Sequence, residues 1–490
     1  METPAKLHLF SFTGRMRVLH LNWVAFFITF VIWFNHAPLL ASIRDTLHLT
    51  DQEIGALLIL NVALTIPARI LIGMLVDSHG PRLVYTALLA VSGVLCLLFA
   101  VADSFEMLAL TRFLLGFAGA GFVIGIRAIG EWFPARQVGL AEGIYGGWGN
   151  FGAAAAAVGL PTVALMFGGA DGWRYAVGAT GLVALVYAGI YYRWARNTPK
   201  GSTYFKPKKT GAIEVSDKTD FFLHALMQVP LYLAPGLLAW KLGPGHLALL
   251  SPLAVALAYG VLGAFYIYQI FRSYQINRQV FTAPVAKIHR YHFKQVAVLN
   301  LAYLVTFGSE LAVISMLPLF FMDTFGLSQI VAGILAAGFA CMNLVARPGG
   351  GMLSDRFGRK RVLMVLIGGL GFGFLGMSQI DQGWWVPLAV LVSMFCSFFV
   401  QAGAGAVFSM VPLIKRRLTG QIAGMVGAYG NVGAVVFLTV LSFVSPHVFF
   451  LVIAGTAVLV LIGIYLFLNE PEGHMVEVLP DGTVQMIDAG

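Results

Sequence analysis

The sequence predicts an all-α polytopic membrane protein, and three observations carry that expectation. The chain of 490 residues is 59% hydrophobic and only 11% charged, with a mean hydropathy of +0.83, whereas a soluble domain carries about 25% charged residues. Its apolar residues gather in runs long enough to span a hydrocarbon core, which takes about 20 residues in helix. The runs form two sets, and the second repeats motifs of the first.

The first set covers residues 20–42, 54–76, 83–102, 106–133, 138–167 and 173–194. The second covers 293–322, 328–353, 361–380, 384–414, 419–446 and 448–468. Between them lies the polar stretch "RNTPKGSTYFKPKKTGAIEVSDKTD", followed by two more apolar runs near 221–242 and 246–271 with "GPGH" between them. An extra hairpin adds an even number of crossings and leaves the topology of the second set unchanged. The expected organisation is an N-terminal six-helix bundle over 1–195 and a linker with two additional apolar helices over 196–292. A C-terminal six-helix bundle over 293–470 and a tail over 471–490 complete it. Residues 1–20 are polar and basic and the first apolar run is long enough to span, so no cleavable signal peptide is expected.

The net charge of +9 is explained by where the charges fall. Lys6, Arg15 and Arg17, Arg82, Arg136, the linker residues Arg196, Lys200, Lys206, Lys208, Lys209 and Lys218, Arg356 to Arg361, and Lys415 to Arg417 occupy alternate connections. The other connections carry Asp103, Asp171, Lys241, Asp323, Asp381 and His447. Basic loops stay on the cytoplasmic side. Both termini and the linker are therefore expected in the cytoplasm, with the chain multi-pass in the plasma membrane and in contact with lipid rather than nucleic acid. Cys96, Cys341 and Cys396 fall in apolar runs and give neither a disulfide framework nor a metal spacing. No cofactor is expected.

"RILIGMLVDSHGPR" (69–82) aligns with "RPGGGMLSDRFGRK" (347–360) at an offset of 278 (347 less 69). Arg69 meets Arg347, Gly73 meets Gly351, Asp77 meets Asp355 and Gly80 meets Gly358. "GGWGNFGAA" (146–154) aligns with "GAYGNVGAV" (427–435) at 281 (427 less 146), so that Asn150 meets Asn431. Two motif pairs at nearly one offset indicate parallel six-helix repeats about an axis along the membrane normal. Each arginine lies eight residues (77 less 69, 355 less 347) before the aspartate that begins the following loop. At 1.5 Å per residue that is about 12 Å deeper, near the middle of a ~30 Å core. A guanidinium does not give up its proton. Two cations at this depth either face a cavity that an anion visits or pair permanently with buried carboxylates.

"GMLVDSHGPR" and "GMLSDRFGRKR" resemble the paired loop motif of the major facilitator superfamily, and "RFLLGFAGAGF" from Arg112 resembles its fourth-helix motif. "AEGIYGGWGNFGAA" and "AGMVGAYGNVGAV" resemble the two signature motifs of the nitrate/nitrite porter family, and "NLVARPGGGMLSD" and "HLNWVAFFITFV" resemble its eighth and first helices. The resemblance covers about 1–195 and 293–470, is strongest to cyanobacterial-type nitrate permeases, and implies the major facilitator fold. The apolar hairpin departs from that family's twelve-helix pattern. By resemblance, Arg69 and Arg347 clamp a planar anion, Tyr303 and Phe307 in "AYLVTFGSEL" and Phe122 in "GAGF" wall the site, and Asn150 and Asn431 are the signature asparagines. Gly73, Asp77, Gly80 and Arg82, with Gly351, Asp355 and Gly358, form the gating motif. The implied activity is import of nitrate, with nitrite as a second substrate, by alternating access and with proton coupling. Nitrate/nitrite exchange, transport of another small anion, or anion sensing by a facilitator-like receptor are the alternatives. Nitrate suits an arginine fork because it is flat and rich in acceptors.

Glu310 shares a helical face with Tyr303 and Phe307 at i, i+4, i+7 spacing, which makes it either a proton site or a structural partner. Arg127 and Glu131 are four apart and read as a local ion pair. The signature glycines also suit close helix packing. "GWGNFG" (147–152) and "GFGFLG" (371–376) match a dinucleotide fingerprint, but no strand precedes them. His20, His36 and His79 are dispersed and read as interfacial. No nucleophile–base pair appears, so the chain is expected not to be an enzyme, and the two halves of one chain suffice for a monomer.

Overall fold

The computed structural model describes residues 8–168, 171–207, 211–246, 248–282, 290–327, 329–471, 474–478 and 484–488. Lys6, Lys208 and Lys209 of the basic clusters lie outside the described residues. Among the described residues fourteen helices are long and apolar enough to cross a membrane. In chain order they are α1 Gly14–Leu47, α2 Leu60–His79, α3 Pro81–Ala100, α4 Phe105–Trp132, α5 Ala135–Phe167 and α6 Gly172–Trp194. The hairpin is α7 Lys218–Leu242 and α8 Pro252–Asn277. The second set is α9 Phe293–Phe325, α10 Val331–Phe357, α11 Arg359–Ser378, α12 Val386–Leu413, α13 Arg416–Leu441 and α14 Pro446–Phe467. This is the all-α architecture the apolar runs predict.

Two features differ from the sequence expectation. The second hairpin helix begins at Pro252 rather than at 246, because Ser251 caps it: its hydroxyl accepts from the Ala254 N–H at 3.2 Å, and Pro252 takes the first helical position. The tail carries an antiparallel pair of strands, β1 His474–Val478 and β2 Val484–Asp488, where the alternation of "MVEV" and "VQMID" suits a period of two. His20 and His36 are buried within the bundle, and His36 is 1% exposed.

Two seams join the halves. In one, α2 lies on α13; in the other, α10 lies on α5. Both need glycine for close approach. A Cβ on Gly73 would stand 2.3 Å from the Gly420 carbonyl oxygen, and one on Gly351 would stand 1.8 Å from that of Gly139. Bare backbone lets the helix pairs approach where any side chain would hold them apart. The two seams use positions related by the repeat, so the internal symmetry of the sequence is also that of the interface.

Each seam is tied at one end by an aspartate. Asp77 accepts from the N–H groups of Gly420 (2.9 Å) and Gln421 (2.8 Å), and Asp355 accepts from those of Gly139 (3.1 Å) and Leu140 (2.9 Å). Gly420 and Gln421 follow a helix start at Thr419, where backbone donors are free and the helix dipole is positive, whereas Gly139 and Leu140 lie in the second turn of α5. The next residues turn the chain: Gly80 (φ 87°) and Gly358 (φ 91°) hold left-handed φ values that favour glycine. The helices they open are capped from afar. Asn197 accepts from the Arg82 N–H at 2.9 Å, and Glu470 accepts from those of Arg359 (2.6 Å) and Lys360 (2.7 Å).

Gly351→Ala is expected to destabilise the purified protein by about 1–3 kcal/mol through overpacking of the α10/α5 seam. Gly349→Ala, where nothing lies within 4 Å of the added Cβ, should leave the midpoint unchanged. Thermal unfolding of both variants in detergent measures the difference.

Candidate functional site

Arg69 and Arg347 enter the region between the halves from α2 and α10, and each is 1% exposed. Arg69 donates from Nε to the Gly119 carbonyl at 3.2 Å and from Nη1 to the Gly427 carbonyl at 2.5 Å. Arg347 donates from Nη2 to the Tyr303 hydroxyl at 2.9 Å, and its buried Nη1 has no hydrogen-bond partner. Among the described residues neither guanidinium forms an ion pair with a carboxylate. Arg112 on α4 shows the contrast. Its three nitrogens are spent on Asn35, Asn61 and the carbonyls of Ile32 and Trp33, so it closes a structural network.

The two arginines share walls. The guanidinium carbon of Arg69 lies 5.2 Å from the Phe307 ring centre and 6.0 Å from that of Phe122; for Arg347 the distances are 5.5 and 5.6 Å. Tyr303 stacks on Phe307 at 5.1 Å and 8°, and Phe122 lies nearly parallel to Tyr303 at 6.3 Å and 6°. Phe408 on α12 meets both Phe122 and Tyr303 edge-on, at 4.6 and 4.7 Å. Aromatic faces attract a cation and exclude water, which strengthens every charge contact inside.

The signature glycines do more than pack helices. A Cβ on Gly146 would stand 3.2 Å from the Cδ of Arg347, and one on Gly427 would stand 3.3 Å from the Cδ of Arg69. Each half thus seats the other half's arginine on its own glycine. Asn150 and Asn431 follow these glycines by one turn. Asn150 Nδ2 and both polar atoms of Asn431 are buried without a hydrogen-bond partner.

Glu310 lies on the Tyr303 face of α9, as its spacing predicts, and is 2% exposed. Its partner is an amide. Oε1 accepts from Asn343 Nδ2 at 2.6 Å, and Asn150 stands beside the carboxyl, although Oε2 and Asn150 Nδ2 make no hydrogen bond of normal geometry. Asn343 belongs to no site motif, yet it lies one turn before Arg347 on α10 in "NLVAR", and that i, i+4 spacing marks the shared face. Phe408, Phe26 and Tyr145, which stack around Phe122, carry no such signal, because aromatic residues are common in every span.

The gating-motif residues divide. Gly73, Asp77, Gly351 and Asp355 lie at the seams. Gly80 and Gly358 form the turns. Arg82 lies away from the seam, donating from Nε to the Tyr192 carbonyl at 2.8 Å. Arg127 does pair with Glu131 (2.9 Å) and also with Asp77 (3.2 Å). It reaches beyond its own half, donating to the Arg416 carbonyl of α13 and, at 2.7 Å, to that of Phe205 in the linker. The Tyr204 hydroxyl accepts from Arg127 Nε at 3.1 Å and donates to the Val76 carbonyl at 2.5 Å. The linker is built into the same end of the molecule as the two aspartate ties.

Asn343→Ala removes the Asn343 hydrogen bond to Glu310 Oε1 and is expected to destabilise the protein by about 1–3 kcal/mol. Asn343→Asp should cost more by setting a second carboxyl against the first. Thermal midpoints of the two variants give the order.

The sequence matches the family model of the Major Facilitator Superfamily over residues 23–297 and 299–485. It is 45% identical to the nitrate/nitrite transporter NrtP of Nostoc punctiforme over 95% of this chain and 94% of that protein, and 44% identical to NrtP of a Picosynechococcus species over 96% of each. Among solved structures it is similar to the human organic anion transporter MFSD10, with a TM-score of 0.63 at 12% identity, over 92% of this chain and 100% of that one. That likeness carries the fold. The chain therefore belongs to the Major Facilitator Superfamily and, within it, to the nitrate/nitrite porters of cyanobacterial type.

Proposed function

We propose that this protein imports nitrate, with nitrite as a second substrate, across the plasma membrane by alternating access, as a monomer driven by protons. The observation that carries the reading is the pair of buried guanidiniums without carboxylate partners, set between the two halves on shared aromatic walls. A small flat anion supplies the charge they lack. The unspent donors fit it: Arg347 Nη1, Asn150 Nδ2 and Asn431 Nδ2 suit a planar ligand whose three oxygens all accept. The names of the relatives support nitrate and nitrite.

Reciprocal seating suggests how a bound anion is felt by both halves. Each arginine is anchored in one bundle and rests on the other, so an anion drawing the guanidiniums together draws the bundles together. The halves then rock about the fixed site. The basic connections favour a cytoplasmic position for the end tied by Asp77 and Asp355, and with it both termini and the linker. Bringing an anion into a negative interior costs about 2.3 kcal/mol per 100 mV, so accumulation needs a coupled ion. With Glu310 ionised, the two arginines and the glutamate sum to +1, and nitrate brings the site to zero. A proton on Glu310 raises the empty site to +2 and favours anion binding.

Labelled nitrate uptake into proteoliposomes, with and without an imposed pH gradient, tests the reading. Arg69→Lys and Arg347→Lys should each abolish uptake, and weaken nitrate binding to the folded, purified protein by at least about tenfold, because a point charge replaces a planar fork. Near-normal affinity in both variants would sink the clamp.

Glu310→Gln should lose gradient-driven accumulation and keep nitrate/nitrite exchange, measured as efflux of preloaded nitrite against external nitrate. A variant that still concentrates nitrate as wild type does would make Glu310 structural.

A further inference from the structure

Glu142 lies on α5 between the seam glycines Gly139 and Gly143, one turn before Gly146, which seats Arg347. It is 2% exposed, and both of its carboxyl oxygens are buried without a hydrogen-bond partner. The other acids of the two seams are provided for. Asp77 has two backbone donors and Arg127, and Asp355 has two backbone donors and Arg359 at 3.4 Å. Glu310 has Asn343.

The groups that face Glu142 offer no compensation. From α10 the charged neighbour is Asp355, of like sign. On its own helix the neighbour is Tyr145, whose hydroxyl is turned to the Gly121 and Phe122 carbonyls at 2.9 and 3.0 Å. On α1, which packs against α5, Arg17 lies over the Trp194 ring and His20 accepts from Trp23; Arg17 Nε and His20 Nε2 are buried without a partner, and neither bonds Glu142. On α4, Arg127 belongs to the other seam. An ionised carboxylate in such a place costs several kcal/mol, and the α10/α5 seam can close over it only when it is neutral.

We infer that Glu142 is a second proton-binding site, one that takes up a proton when the α10/α5 seam closes and releases it when the seam opens. The step is a simple exchange: the carboxylate and a proton from water give the carboxylic acid on closing, and water recovers the proton on opening. Along α5, Glu142 lies at a level between the Arg347 seat at Gly146 and the Asp355 tie at Gly139. The inference rests on the proposed alternating access and adds a proton site tied to motion rather than to the anion.

The test uses the full chain in lipid nanodiscs, without nitrate. Spin labels at Arg136→Cys and Arg356→Cys, in a Cys341→Ser background, report the distance across the seam at that end. One linked proton changes the closed-to-open ratio by up to about tenfold per pH unit. Wild type should therefore close progressively as pH falls from about 8 to about 5. Glu142→Gln, which carries a permanently neutral amide of the same shape, should stay closed across that range. Glu142→Asp should retain a pH response. A Gln variant with the wild-type pH response, or a wild type with none, overturns the inference. In proteoliposomes, Glu142→Gln should move one proton fewer per nitrate than wild type, and an unchanged ratio also overturns it. If the seam responds to pH as described while wild type carries no nitrate, the nitrate reading fails and the proton site stands.

Discussion

Two guanidiniums held near the middle of an apolar bundle set the terms for everything around them. Neither can shed its charge, and among the described residues neither forms an ion pair with a carboxylate. A buried ion normally needs paired charge or a full set of hydrogen bonds. Arg112 meets that need with side-chain and backbone oxygens, and it is inert. Arg69 and Arg347 meet it only in part, with carbonyls, one tyrosine hydroxyl and aromatic faces, and that incompleteness is what the proposed anion clamp rests on. The aromatic walls, the signature glycines and the asparagines with unspent donors are all arranged around the same deficit.

The second organising feature is reciprocity. The repeat does not merely duplicate a helix bundle. It crosses the copies, so that α2 lies on α13 and α10 on α5, with a glycine of one half under an arginine of the other. One geometry serves at three levels along each seam: glycine against carbonyl, arginine on glycine, and aspartate on a pair of backbone N–H groups. Departures from the symmetry stand out against it. Arg127 joins one seam only, Glu310 and Asn343 sit on one side of the site only, and Glu142 has alanine (Ala423) as its counterpart at the repeat offset of 281. The proposed rocking rests on the symmetric scaffold, and the proposed coupling on these asymmetric groups.

Much of this was legible in the sequence. Spans follow from the length of apolar runs, the repeat from motif offsets, and the level of the arginines from eight residues of helix. Helical spacing alone put Glu310 on the face of Tyr303 and Phe307. What stayed hidden was what depends on contact between segments far apart in the chain. Nothing in "NLVAR" says that Asn343 meets Glu310, and nothing in the glycine motifs says that their neighbour is an arginine from the other half. Arg127 read as one end of a local pair because its i, i+4 partner is visible in sequence, while its bonds to Asp77, Arg416 and Phe205 are not. The hairpin's second helix was misplaced by six residues because an apolar run continues through "HLALL" ahead of the Ser251 cap, and hydropathy does not register a cap.

The linker between the bundles has a consequence of its own. Tyr204 and Phe205 are bonded to Arg127 and Val76 of the first half. Farther along, Val215 and Ile213 are bonded to Asn277 of the hairpin, Glu214 meets Arg417 of the second half at 2.7 Å, and the Tyr291 hydroxyl donates to the Glu214 carbonyl at 2.6 Å. A segment fastened at both ends across a seam sets a maximum reach between its two attachments. Any motion that parts α2 from α13 must either detach one end or carry the hairpin along, so the reach of that opening is limited by the chain between the halves as well as by the helices that face each other.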